Sequence, residues 1–376
     1  MKYFLCLIFL ATSVAGRFDN EYYQLLAKEN ADKNLITSPL ALKIVLALAY
    51  EGAKDNTAVE LKNVLDLAER EDVAGQYKAF FKVLAKREAN LAIDIANSIY
   101  VNEKFHIIPE FSKLVTESFK SQAVGISLGN AEKSAEIVNN WVKEKTRDKI
   151  PNAVTAKNID AKLQILLVNA FSFKGNWLFK FHAMKTKNEN FTPASGKVAP
   201  VKIMSQYGFF KAADWPEIDA KVLQLPYHKS SLSMFIFLPN KPNGLGALEN
   251  KIGDFNYTNL TSRRVHIKLP KFKIDFAAEL SGILKKLGIV DAFGANANLQ
   301  DLVQEKGAAI SKVIQKGLIE VNEEGSGFIS MIGIRDSFIS IKPLLSPLDF
   351  QAVHPFAYVI RDEKSIYFQG HFVKPE

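Results

Sequence analysis

The chain has 376 residues, 48% of them hydrophobic and 23% charged, and a formal net charge of +8. This composition excludes a disordered or fibrous protein and is enough for a large core. The lysines are dispersed, with no run longer than Lys285-Lys286 and no basic stripe interleaved with aromatics. No nucleic-acid surface is therefore expected, and a polyanion is at most a weak partner.

Residues 1–16, MKYFLCLIFLATSVAG, carry Lys2, an apolar run from Tyr3 to Leu10, and small residues at Ser13, Ala15 and Gly16. That layout is a secretory signal peptide. The run is too short to span a bilayer, so no membrane partner is expected. The single cysteine, Cys6, falls inside it. The mature chain, 17–376, is thus expected to be a secreted, extracellular, single-domain monomer that folds without disulfides. Asn190, Asn256 and Asn259 open Asn-x-Thr sequons and are the expected glycosylation sites.

Apolar residues at spacings of three and four predict helices over 20–28, 39–51, 57–67, 73–86 and 134–148. Ser38-Pro39 and Asn56-Thr57 are read as helix starts. Strands are predicted over 92–101, 163–173, 221–226, 232–238, 265–269, 356–360 and 366–372. A short helix over 277–287 ends at Gly288. Helices first and strands later argue for an α+β fold. No repeat, low-complexity tract or Gly/Pro-rich linker divides the chain.

Chemistry-bearing motifs are few. The six histidines are scattered, and none has a second ligand at metal spacing. No GxxxxGK[ST], no GxGxxG after a strand and no GxSxG elbow is present. No enzyme activity, metal or cofactor is expected.

One stretch stands apart. Residues 319–350 open as an acidic strand (Glu320, Glu323, Glu324), break at Gly325-Ser326-Gly327, and continue as a long apolar segment without helical period. A connection of that length in a compact domain is usually functional or disordered, and this one is too apolar to stay solvated. It reads as a presented loop, about 325–350.

Ordered blocks around it resemble the serpin family. They run from Asn34-Leu35-Ile36-Thr37-Ser38-Pro39 through Ala96-Asn97-Ser98-Ile99-Tyr100, Asn140-Trp141-Val142, Leu167-Val168-Asn169-Ala170 and Phe173-Lys174-Gly175-Asn176-Trp177. Leu269-Pro270-Lys271-Phe272 and Ile310-Ser311-Lys312-Val313 follow. The most specific blocks are Glu320-Val321-Asn322-Glu323-Glu324-Gly325, and Phe350 with His354-Pro355-Phe356 and Phe368-Gln369-Gly370. The resemblance implies a serpin fold: helices mainly in the N-terminal half, a large central β-sheet with smaller sheets, and a long exposed reactive loop.

It also implies a mechanism. An extracellular serine protease attacks the loop, an acyl-enzyme forms, and the cleaved loop inserts into the main sheet, distorting the protease. The hinge would be Glu323, Glu324, Gly325, Ser326, Gly327 and Phe328. Counting from Glu323 puts the scissile bond at Ile339-Ser340, which suits a chymotrypsin- or elastase-like protease; Arg335 and Leu344 are weaker candidates. Ser38, Asn169, Gln315 and Trp177 would form a cluster controlling sheet opening, with Gln315 standing where the family usually has His. Where inhibitory members carry a run of alanines, this chain has Phe328, Ile329 and Met331. Two readings therefore stay open: a suicide inhibitor, or a non-inhibitory member acting as a binding or carrier protein or cleaved as a plain substrate.

Overall fold

The computed structural model describes residues 17–85, 91–326 and 347–375. In chain order the elements begin α1 (Arg17–Glu29), β1 (Leu35–Thr37), α2 (Pro39–Glu51), α3 (Asp55–Leu65), α4 (Arg70–Leu84), β2 (Leu91–Asn102), α5 (Pro109–Phe119), β3 (Gln122–Ile126) and α6 (Ala131–Lys145). There follow β4 (Ile165–Asn176), β5 (Lys187–Phe191), β6 (Ala199–Trp215), β7 (Ala220–Pro226), β8 (Ser233–Pro239) and α7 (Leu245–Glu249). The last third comprises β9 (Thr261–Pro270), β10 (Phe272–Glu279), α8 (Ser281–Lys286), β11 (Ile310–Val321), β12 (Gly325–Ser326), β13 (Leu348–Gln351), β14 (Phe356–Arg361) and β15 (Ile366–Phe372).

The α+β expectation holds: six of the eight described α-helices precede residue 146. Several local expectations change. Residues 277–279 belong to β10, and the helix starts only at Ser281. It still stops at Gly288, whose φ of 105° suits glycine. Ser38 caps α2 by accepting the Ala41 N–H at 3.1 Å. Asn56 caps nothing: α3 already begins at Asp55, and the Asn56 side chain bonds Glu60 and Asp291. Helix α5 and strands β3, β5 and β6 lie where sequence periodicity showed no element.

The strands form two sheets. Six strands run β10-β11-β12-β4-β2-β3, with β11 also paired directly and in parallel to β4. Nine belong to the second sheet, β1-β15-β14-β8-β7-β6-β9-β13, with β5 on β6. Strand β6 carries β5 and β9 along most of its length and β7 along its last four residues, so one strand joins two groups. Helix α2, apolar nearly all round and almost wholly buried, packs against β2, β4 and β15 and separates the sheets.

The six-stranded sheet has two different faces. Its back face joins the main core with α2, Phe171, Phe173 and Ile319. Its front face builds a second, smaller cluster under α6: Ala96 and Tyr100 from β2, Leu166, Val168 and Ala170 from β4, and Ile314 and Leu318 from β11. Ala135, Val138 and Val142 of α6, and Ile150, Val154 and Ile159 after it, cover them.

Candidate functional site at the top of the six-stranded sheet

Strands β4 and β11 pair in parallel from Ile165 opposite Ile310 up to Ser172 opposite Leu318. Above that level they part, and the two residues of β12 fill the gap. Gly325 and Ser326 face Asn176 and Gly175 of β4, and Ser326 also faces Val321 of β11. The chain reverses through Asn322–Gly325, with Asn322 N–H donating to the Gly325 carbonyl at 2.8 Å. The Asn322 carboxamide oxygen also accepts the Glu324 N–H at 3.0 Å, a local turn bond typical of Asn. Gly325 has a φ of 155°, and a Cβ there would overlap the Gly175 carbonyl. Only glycine fits at this close approach.

Every described residue of the expected hinge is held. Trp177 donates its indole N–H to the Asn322 carbonyl at 3.0 Å and its backbone N–H to the Glu324 carbonyl at 2.8 Å. The Phe181 N–H bonds the Glu323 carbonyl at 3.0 Å. Lys180 reaches Glu324 at 2.5 Å; Lys271 and Thr186 both reach the Glu323 carboxylate at 2.7 Å. Burial pushes the Glu323 carboxyl upward, but the hydrogen bonds from Lys271 and Thr186 outweigh it, so its titration lies below the usual range. Ser326 is buried with its hydroxyl 2.8 Å from that of Tyr227. The Tyr227 ring stacks on Trp177 at 4.8 Å and 15°. Burial drives the Tyr227 hydroxyl well above its ordinary range, so it stays protonated.

Tyr227 belongs to the main core, so Ser326 points to the back of the sheet. That back face is lined with rings. Phe173 lies 5.0 Å from Tyr227 and 5.2 Å from Phe368, and Phe171 lies 5.3 Å from Phe368. The Phe171 ring sits so close over Gly317 across the seam that a Cβ at 317 would collide with it.

Three of the four expected sheet-opening residues meet lower down. Gln315 and Asn169 are register partners across the β4–β11 seam, and the Gln315 amide donates to the Asn169 oxygen at 2.7 Å and to the Ser38 carbonyl at 3.1 Å. Its oxygen receives the Tyr22 hydroxyl at 3.0 Å and the Thr37 hydroxyl. Asn169 donates to Asn97 at 2.5 Å. All are buried. Trp177 is not part of this cluster. It follows the end of β4, eight residues and roughly 26 Å of strand from Asn169, and braces the hinge.

Sequence reasoning missed Tyr22, Thr37 and Asn97 in the lower cluster and Tyr227, Lys180, Thr186 and Lys271 at the hinge. The signal for Lys271 is charge: Glu323 and Glu324 have no lysine or arginine close to them in sequence, so their cations must come from elsewhere in the chain. Asn190, Asn256 and Asn259 are all exposed. Residues 1–16 lie outside the described residues, as do Gly327, Phe328, Ile329, Met331, Arg335, Ile339, Ser340 and Leu344.

A family model described as Serpin (serine protease inhibitor) matches residues 13–375. Serine protease inhibitor 42Dd of Drosophila melanogaster is 40% identical over 99% of this chain and 100% of that protein. The leukocyte elastase inhibitor of Sus scrofa is 30% identical over 96% and 98%. Among solved structures, Serpin48, a highly specific serpin of the insect Tenebrio molitor, superposes with a TM-score of 0.86 at 33% identity, covering 96% of each chain.

Proposed function

The chain belongs to the serpin family, and on that premise we propose that it is a secreted inhibitor of an extracellular serine protease, acting as a suicide substrate through the segment that leaves β12. One observation carries this reading. Gly325 and Ser326 already occupy a strand position between β4 and β11, so the first step of insertion is built into the uncleaved protein. A cleaved loop needs only to extend that strand downward, separating pairs that begin at Ser172 and Leu318. Insertion is then productive when it outruns hydrolysis of the acyl-enzyme.

A chymotrypsin- or elastase-like target fits Phe338 and Ile339 beside the counted scissile bond, and one relative is named for an elastase. Export through residues 1–16 and glycans on exposed Asn190, Asn256 and Asn259 complete the reading. The protein would act as a monomer and hold no cofactor.

A second reading, a non-inhibitory serpin cleaved as a substrate or serving as a carrier, is favoured by one residue. Side chains two apart on a strand share a face. On insertion Phe328 would follow Ser326 to the back of the sheet, where Phe171, Phe173, Phe368 and Tyr227 already fill the space. Overpacking of this kind costs about 1–3 kcal/mol. If it is felt in the insertion step, each 1.4 kcal/mol or so slows that step about tenfold.

The test is incubation of mature protein with trypsin, chymotrypsin and elastase. SDS-stable complexes and a large rise in thermal stability of the cleaved product support the inhibitor. Clean cleavage within 327–346 with neither result supports the second reading.

A further inference from the structure

Three neighbouring strands of the nine-stranded sheet, β6-β9-β13, bring a serine, a histidine and an aspartate together. Asp349 of β13 stands directly opposite His266 of β9, and its carboxylate lies 3.2 Å from His266 Nδ1. On the other side of the ring, Nε2 lies 3.4 Å from the hydroxyl of Ser205 on β6, which is diagonal to His266 in the register. A carboxylate only accepts, so Nδ1 carries the imidazole proton and Nε2 is left to accept the Ser205 O–H. A nucleophile, its base and a group that orients the base are thus linked in series, the arrangement that activates a serine whatever fold carries it. The 3.4 Å contact is long, as such pairs often are before a substrate closes them. Ser205 and His266 are 61 positions apart and Asp349 lies farther on, so no sequence motif marks the group.

Neighbouring residues supply the other parts such a site needs. Lys268 is the register partner of Ser205, so its ammonium, 2.7 Å from Glu189, is within reach of negative charge developing next to the Ser205 oxygen. Tyr207 stands directly opposite His266, half exposed, with its ring centred 6.2 Å from the imidazole and the Arg264 guanidinium over it at 5.2 Å. An open ring in this place accepts an aromatic group. Gln351 donates to the Asp349 carboxylate at 2.7 Å and Lys221 to the Asp349 carbonyl at 3.1 Å, which fixes the third member. The side chain of His266 is 39% exposed and that of Asp349 64%, so small solutes reach the group.

We propose that Ser205, His266 and Asp349 form a nucleophilic site that takes the acyl group of small aryl esters. The Ser205 oxygen adds to the ester carbonyl carbon as its proton passes to His266 Nε2. The bond from that carbon to the aryl oxygen then breaks, and the aryloxide leaves with the proton as a phenol. Water releases the acyl group: His266 takes a proton from it, the water oxygen adds to the acyl carbon, and the carboxylic acid departs as Ser205 recovers its proton. Ester and water are consumed, acid and phenol are formed, and no other reactant is needed. Turnover is slow, because an open face leaves the developing charge in water. The activity is independent of the loop and of protease inhibition.

The experiment follows hydrolysis of p-nitrophenyl acetate by the mature protein and by Ser205→Ala, His266→Gln, Tyr207→Ala and Ser205→Cys, with the acetyl group located by mass mapping of the quenched reaction. Ser205→Ala and His266→Gln should each lower the rate about tenfold. Tyr207→Ala should raise KM with kcat little changed. The acetyl group should sit on Ser205 in wild type and on the new thiol in Ser205→Cys, and matching thermal midpoints would show that no loss comes from unfolding. Exposed lysines and histidines also react with this ester. Acetyl found only on those residues, or a rate that Ser205→Ala leaves unchanged, overturns the proposal and leaves the three residues as a tie between strands.

Discussion

The hydroxyl of Tyr227 lies 2.8 Å from that of Ser326, with both side chains buried at the point where β12 enters the six-stranded sheet. The body therefore holds the Ser326 side chain by a hydrogen bond and not only by space. A buried hydroxyl deprived of its partner costs roughly 1–3 kcal/mol. Tyr227→Phe keeps the stacking on Trp177 and removes only that bond. It should lower stability by about 1 kcal/mol and speed hydrogen exchange at Gly325 and Ser326. A denaturant midpoint and exchange at those two amides check this; an unchanged midpoint would show that Ser326 finds another partner.

Gln315 bridges the seam as a neutral amide, with hydroxyls on its oxygen and acceptors at its nitrogen. An amide has no charged form in the physiological range, so this cluster carries no pH response. Gln315→His would create one. Buried here, imidazole is held neutral, so its folded pKa falls below the ordinary value near 6.5 and the unfolded chain binds more protons. Stability of the variant should match wild type above about pH 7.5 and fall by as much as about 1.4 kcal/mol per pH unit below about pH 6.5. Parallel unfolding curves for the two proteins at pH 5.5 would contradict this.

Glu51 ends α2 almost fully buried, and its Oε1 has no hydrogen-bond partner among the described residues. Burial pushes its carboxyl up to about 7, with Arg70 opposing the shift only in part. A raised folded pKa means stability that is complete below the ordinary carboxylate range and is lost as pH rises toward 7. Glu51→Gln removes the loss. It should equal wild type near pH 4 and exceed it by at least on the order of 1 kcal/mol at pH 8, measured as thermal midpoints at the two pH values.

Phe328→Ala relieves the overpacking that the rings behind the seam would impose on an inserting strand. The variant should form more SDS-stable complex per loop cleaved, by about tenfold for each 1.4 kcal/mol relieved. Partition between complex and cleaved product on a gel is the measurement. An unaltered ratio would mean that the slow step lies elsewhere.

Much of the fold was legible in the chain. The periods of α2, β2, β4 and β15, the Ser38 cap and the Gly288 stop are local, because side chains three, four or two apart report directly on a neighbouring backbone. Strand β6 escaped notice because its faces change partners along its length, blurring any alternation. Helix α5 was missed although Phe111, Leu114, Val115 and Phe119 keep a helical spacing, because these four apolar residues stand in a short, otherwise polar segment. The cluster at Gln315 was half visible: Thr37, Ser38, Asn97 and Asn169 all lie in the ordered blocks, but that they converge on Gln315, with Tyr22 of α1, follows only from the packing.

By itself the sequence determined the family's order of blocks, the α+β division and the glycine required at 325. Tertiary structure alone decided that Trp177 braces the hinge and not the lower cluster, that Tyr227 receives Ser326, that Lys271 and Thr186 hold Glu323, and that Ser205 and Asp349 meet His266 from opposite sides. The reason is the same in each case. A backbone conformation is dictated by residues a few positions away, whereas a hydrogen bond or ion pair between residues separated by 99 or 61 positions exists only once packing has brought the strands together.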